Sequence, residues 1–140
     1  MQQQISVVTI GTHDLARSKR FYVEGFGWTP VFENDEIIFY QMNGLMLGTF
    51  VVSSLETDMN RRALIGPAAF ALGHNVPAKD DVEALIQRLL SAGGSILRPA
   101  DAPPHGGFRG YVADPDEHAW EIAWNTAWTI DGRGLVTFGL

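Results

Sequence analysis

One pattern occurs twice in this chain, and that repetition limits the possible folds more than any other feature. Asp14 to Gly27 and Asp81 to Gly94 read as two helices of equal length, each ended by glycine, the second beginning 67 residues after the first. Each is preceded by a short β-branched or apolar run, 5–11 (ISVVTIG) and 68–76 (AAFALGHNV), and followed by three more. In the first half these are WTPVFEN, EIIFYQM and LMLGTFVV; in the second they are SILRPA, GFRGYVA and HAWEIAW. Short runs of this kind bounded by Gly, Pro, Asn and Asp are strands. Val82, Leu85, Ile86 and Leu89 recur at the spacing of one helix face. Asn43-Gly44 predicts a hairpin between its flanking strands, and Pro115 sits at the second position of a tight turn, Asp114 to Glu117. Internal repetition sets architecture before any motif does. The spacing therefore predicts an α+β chain in which one domain, 1–140, holds two β-α-β-β-β modules, 5–53 and 66–125, around a cleft. Residues 54–66 have no strong period and read as a connector. The tail, 126–140, carries Trp128, Ile130, Leu135, Val136 and Phe138, which are costly to leave in water, so it is expected to fold as a hairpin around Asp131-Gly132 and pack on its own domain or across a dimer.

Composition removes several classes of function. With 140 residues and 46% hydrophobic content the chain can bury a core unaided. It has no cysteine, so disulfides, thiolate zinc sites and cysteine nucleophiles are excluded. Sixteen acidic against ten basic residues, with no basic cluster, argue against nucleic acid as a partner. No apolar stretch is long enough to span a membrane, and the opening MQQQISVVTIG lacks the basic and apolar segments of a signal peptide. A cytoplasmic protein is the expectation. The sequence holds no phosphate loop, nucleophile elbow or dinucleotide fingerprint.

Two stretches resemble the vicinal oxygen chelate superfamily, also called the glyoxalase/bleomycin resistance/dioxygenase family. The first runs from Thr9-Ile10-Gly11 through Asp14-Leu15-Ala16-Arg17-Ser18 and Phe21-Tyr22 to Gly25-Phe26-Gly27-Trp28. The second runs from Gly106-Gly107-Phe108-Arg109-Gly110-Tyr111 through Ala113-Asp114-Pro115-Asp116 to His118-Ala119-Trp120-Glu121-Ile122-Ala123-Trp124-Asn125. The resemblance implies paired β-α-β-β-β modules and, in the metalloenzymes, His, Gln or Glu ligands on the first and last strand of each half. These surround a divalent ion that polarises a substrate with two adjacent oxygens. Carried onto this sequence, the four positions become Val7, Gly48, Ala71 and Glu121. One carboxylate cannot hold a catalytic ion that needs about three protein donors. No cofactor is therefore expected. A divalent metal remains the alternative.

Alternation along AWEIAW places Glu121 with Ala119 and Ala123, two small residues that suggest a wall lining a space. The expected ligand-binding set is Glu121 as polar anchor, His105, Phe108, Arg109 and Tyr111 from the loop and strand before it, and Phe50, which with Phe39 offers a stacking surface for a planar ligand. Glu121 is also the candidate catalytic residue. The favoured function is metal-independent binding or sequestration of a small, partly apolar or aromatic molecule by a homodimer, the assembly the resemblance implies. The competing reading is a metal-dependent lyase, isomerase or extradiol-type dioxygenase in which Glu121 is joined by His74 or His118. Alternation turns both histidines away from Glu121 unless a strand is bulged, and His13, just before a helix, reads as a cap or a solvent-facing residue.

Overall fold

The computed structural model describes residues 1–63 and 68–138. The predicted start of the second module, at residue 66, and the last two residues of the tail lie outside them. The first module is β1 (Val7–Thr12), α1 (Leu15–Arg20), β2 (Pro30–Glu33), β3 (Ile37–Gln41) and β4 (Met46–Val51). The second is β5 (Leu72–Asn75), α3 (Lys79–Ser91), β6 (Ser95–Asp101), β7 (Phe108–Ala113) and β8 (Ala119–Trp124). Between them lies α2 (Val52–Met59), and the tail forms β9 (Trp128–Ile130) and β10 (Val136–Phe138). The two four-stranded sheets have the same strand order, β1-β4-β3-β2 and β5-β8-β7-β6, with the first strand parallel to the last and the other pairs antiparallel. This is the predicted paired β-α-β-β-β architecture.

Local chemistry explains the helices. The Asp14 carboxylate accepts the Arg17 N–H at 3.0 Å and caps α1. Asp81 reaches back to the Ala78 N–H at 3.2 Å at the start of α3. After Arg20 the first helix widens into a π-helical turn, Phe21–Gly25. The extra residue lets Phe21, Tyr22 and Gly25 all face inward, where each is buried. Gly25 is needed here because a Cβ would stand 2.8 Å from a methyl of Leu89 on α3. One core runs through both modules: Tyr22 packs on Tyr40 of the first sheet and on Trp120 of the second.

The α2 helix corrects the expectation of a connector at 54–66. Only Leu55 of the helix is buried, so sequence periodicity is faint. The helix forms because Val52 and Leu55 cover the bare backbone of Gly11, and it ends at Asn60 in the left-handed conformation (φ 54°).

The tail forms the expected hairpin, with Val136 opposite Ile130 and Phe138 opposite Trp128. The Asp131 carboxylate accepts the Arg133 and Leu135 N–H groups in its turn, and Asn43 Nδ2 donates to the Arg133 carbonyl at 3.0 Å. Leu135 and Val136 line one cavity together with Val8, Leu47 and Leu72. Deleting residues 127–140 uncovers this apolar surface and is expected to cost about 2 kcal/mol. Thermal denaturation and soluble yield check it; an unchanged melting temperature would mean that the hairpin contributes no packing.

Candidate functional site

Alternation in β7 and β8 builds the site. Tyr111 pairs with Glu121, Arg109 with Ala123 and Ala113 with Ala119, so these six side chains share the face of the second sheet that α3 does not cover. On the other side of Glu121, β5 contributes Gly73, which has nothing within 4 Å of where a Cβ would lie. The Tyr111 hydroxyl donates to Glu121 Oε2 at 2.6 Å. That bond and partial burial hold the Tyr111 proton more tightly than usual, while the Arg109 and Arg98 charges oppose the shift. Arg109 pairs with Asp101, which Arg98 also grips at 2.9 Å. Hydrogen bonding from Arg98, reinforced by Arg109, keeps the Asp101 carboxyl below its ordinary range. The result is a half-buried carboxylate with a hydroxyl on it and two guanidinium groups nearby. Such a surface has the chemistry to accept a hydrogen bond from a hydroxyl or amine at Glu121, while both guanidinium groups are paired with Asp101.

The corresponding face of the first sheet is apolar. Gly48 sits between Thr9 and Phe39. A Cβ on Gly48 would lie 2.9 Å from Cε1 of Phe39, so the phenyl ring fills the space that a longer side chain needs. Phe32 packs on Phe39 with centroids 6.2 Å apart. Phe50 belongs to this sheet too, against Glu36, Ser54 and Thr57 beside α2. It is not brought together with Glu121 by any contact among the described residues.

The other predicted residues divide by strand parity and loop position. Phe108 lies on the opposite face of β7 from Arg109 and Tyr111, packed on the core beneath the Lys79 ammonium, 5.0 Å from its ring centroid. It does not join the Glu121 face. His105 is exposed in the loop before β7. His74 points away from Glu121, its ring against Phe26 at 5.3 Å and Trp28 at 6.1 Å, and desolvation pushes its pKa below the usual value. His118 turns to the first module, with Nε2 2.7 Å from the Gly11 carbonyl oxygen. Neither alternative partner of Glu121 is therefore beside it. The backbone N–H of His13 donates to Asp116 at 2.9 Å and its side chain remains exposed.

Sequence reasoning missed Arg98 and Asp101 because two register shifts in β6 place them beside Arg109 and Tyr111, and nothing in a plain period-two pattern marks such bulges. It also missed what the Asp114-Pro115-Asp116 turn does. Asp116 accepts from Thr12 Oγ1 at 2.7 Å and from Arg17 at 3.0 Å, which clasps the second module to the first.

The sequence profile of the Glyoxalase/Bleomycin resistance protein/Dioxygenase superfamily matches residues 4–122. The chain belongs to this superfamily. A glyoxalase-related enzyme from Fulvimarina pelagi is similar at 57% identity and TM-score 0.97, over 99% of this chain and 100% of that one. Lower in sequence but alike in fold are a lactoylglutathione lyase from Agrobacterium tumefaciens and the fosfomycin resistance protein FosX from Mesorhizobium loti. The first shows 19% identity and TM-score 0.74 over 94% and 100% of the chains; the second shows 19% and 0.67 over 90% and 95%. No protein of curated function matches the sequence.

For a member of this superfamily the question is whether a divalent ion fits the positions that hold one in its metalloenzymes. Gly48 supplies no donor, and Phe39 crowds it. The strand neighbours of Gly48 and Glu121 are Thr9 and Gly73, each two residues along from Val7 and Ala71, on the same face. They add one hydroxyl and nothing. Among the described residues no three His, Cys, Asp or Glu side chains converge. The residues present do not fit the metal, and Glu121 is held instead by Tyr111.

Proposed function

We propose that this superfamily member binds and sequesters a small, partly apolar or aromatic molecule on the Glu121 face, without a metal, as a homodimer. The observation that carries the reading is the Glu121–Tyr111 hydrogen bond at a position whose three counterparts offer no chelating side chain. A half-buried carboxylate flanked by Ala119, Ala123 and Gly73 leaves room for a ligand hydroxyl or amine, and Arg109 stands at the rim. The homodimer has support from the first sheet, where Val7 and Phe32 are 46% and 52% exposed on the face that carries Phe39. A second copy bringing this face to its partner's Glu121 would place aromatic rings opposite the polar anchor. No helix among the described residues is long and apolar enough to cross a membrane, which is consistent with the cytoplasmic location we propose.

The test has two parts. Protein purified without chelator is expected to carry far less than one divalent metal per chain by elemental analysis. Stoichiometric metal released by Glu121→Gln would overturn the reading in favour of a metal-dependent enzyme. Thermal-shift screening with planar compounds bearing a hydroxyl or amine is expected to give a stabilising ligand. Glu121→Ala should weaken it about 10- to 100-fold, the loss of one hydrogen bond to a charged group at about 1.5–3 kcal/mol.

A further inference from the structure

A separate cavity lies where the two modules and the tail meet. On β5, Leu72 and His74 point to the opposite side from Gly73; on β8, Trp120 points to the opposite side from Glu121. Those side chains, with Trp28, Gly73, Leu47 and Val136, line a partly open cavity of about 460 Å³. A second chamber of similar volume adjoins it and shares Trp28, Met42, His74 and Val136. Single cavities of this size fall within the range that small-molecule sites occupy. The walls of the first chamber are mostly aliphatic and aromatic, and the second includes the polar residues Thr29, Gln41, Asn43 and Asn75. Among the described residues no Asp, Glu, Lys or Arg lines either.

Among the described residues, His74 is the one titratable group that lines the first chamber. It is largely withdrawn from water, its pKa is depressed by that burial, and its ring nitrogens have no hydrogen-bond partner among the described residues. A neutral imidazole offers one donor and one acceptor. An uncharged ligand atom can meet either, whereas an ion there would lose hydration with nothing to replace it. The roof is the tail hairpin, held over the chambers by the Asn43–Arg133 hydrogen bond and by Leu135 and Val136. We infer that this inter-module cavity is a second binding site, for a compact, uncharged aromatic molecule carrying a single hydrogen-bonding atom directed at His74. The assignment does not rest on the Glu121 reading, because neither Glu121 nor Tyr111 lines the chambers, although the Gly73 backbone borders both sites.

The probe pair is 2-naphthol and 2-naphthoate, the same two rings with a neutral hydroxyl or a carboxylate. Titrated into the full chain by calorimetry, 2-naphthol is expected to bind one per chain, with 2-naphthoate at least tenfold weaker. Leu72→Trp, which fills the chamber, and Val136→Glu, which puts a charge in its roof at a half-exposed position, should each weaken 2-naphthol at least tenfold. Circular dichroism confirms that each variant is folded, and either folded variant suffices to decide. Three results would overturn the proposal: no 2-naphthol binding up to its solubility limit, equal or tighter binding of 2-naphthoate, or loss of binding in Glu121→Ala with wild-type affinity in the cavity variants.

Discussion

Tyr22→Phe is expected to lower the melting temperature by about 10 °C although it removes a single oxygen. The phenyl ring keeps every aromatic contact that the tyrosine makes with Phe21, Phe26, Trp28, Tyr40 and Trp120. What is lost is a node. The Tyr22 hydroxyl donates to Asp114 Oδ2 at 2.7 Å and accepts from Trp120 Nε1 at 3.1 Å, all within the core. Its removal leaves a buried carboxylate oxygen and an indole N–H without partners, at about 1–3 kcal/mol each. A total near 3 kcal/mol corresponds to roughly 10 °C for a domain of this length.

The same node predicts a pH dependence. Burial raises the folded pKa of Asp114 above its ordinary 3.8, while His118 and the Tyr22 hydrogen bond pull it down. A carboxyl whose folded pKa is raised binds its proton more tightly in the native state. Its contribution to stability is therefore present at low pH and declines as pH rises from about 3.8 through the folded value. Without the Tyr22 hydroxyl that window extends upward. The gap in melting temperature between wild type and Tyr22→Phe should be smallest near pH 4, widen with pH and level off once Asp114 is ionised. Thermal denaturation across this range checks it; a gap independent of pH would mean that Asp114 does not titrate there.

How far the sequence could be read depended on whether the deciding contacts are local. The two sheets follow from hydrophobic runs and turn residues, because a strand with one buried face writes its period into itself. The partnership of Tyr111 with Glu121 follows from alternation once β7 and β8 are known to be neighbours, and the same rule would have set Phe108 apart from Arg109. The π-helical turn at Phe21–Gly25 is different. One extra residue rotates the helix face to suit Leu89 and Val112, and those partners are far along the chain. The α2 helix likewise owes its place to Gly11, not to a stripe of its own. The acidic turn was legible as a turn, but the job of its carboxylates depends on residues about a hundred positions away. Side chains that bind across modules leave no periodic mark.

Two glycines on the second sheet should respond in opposite ways to an added side chain, and the contrast tests whether the Glu121 face is built space or leftover space. Gly110 lies in β7 between Arg109 and Tyr111, on the side that α3 covers. A Cβ there would stand 2.7 Å from the Ile86 side chain, 2.9 Å from the Arg98 carbonyl oxygen and 3.2 Å from the Ala100 nitrogen. The methyl of Ile86 can move a little, but the β6 backbone cannot without breaking its ladder to β7. Gly110→Val therefore has to push α3 or β6 off the sheet, at a cost above about 3 kcal/mol, and is expected to lose most soluble protein or melt at least 10 °C lower. Gly73 lies beside Glu121 on the uncovered face with open space above it. Gly73→Ala should fold with a melting temperature within about 2 °C of wild type, since a surface change that meets no neighbour is usually worth less than about 0.5 kcal/mol. Its methyl nevertheless enters the space next to the Glu121 carboxylate. A ligand seated there should therefore bind more weakly, and Leu72→Trp, on the opposite face of β5, should leave that ligand's affinity unchanged. Wild-type affinity of Gly73→Ala for a ligand that Glu121→Ala releases would show that the seat lies away from β5 and that Tyr111 and Arg109 define it alone.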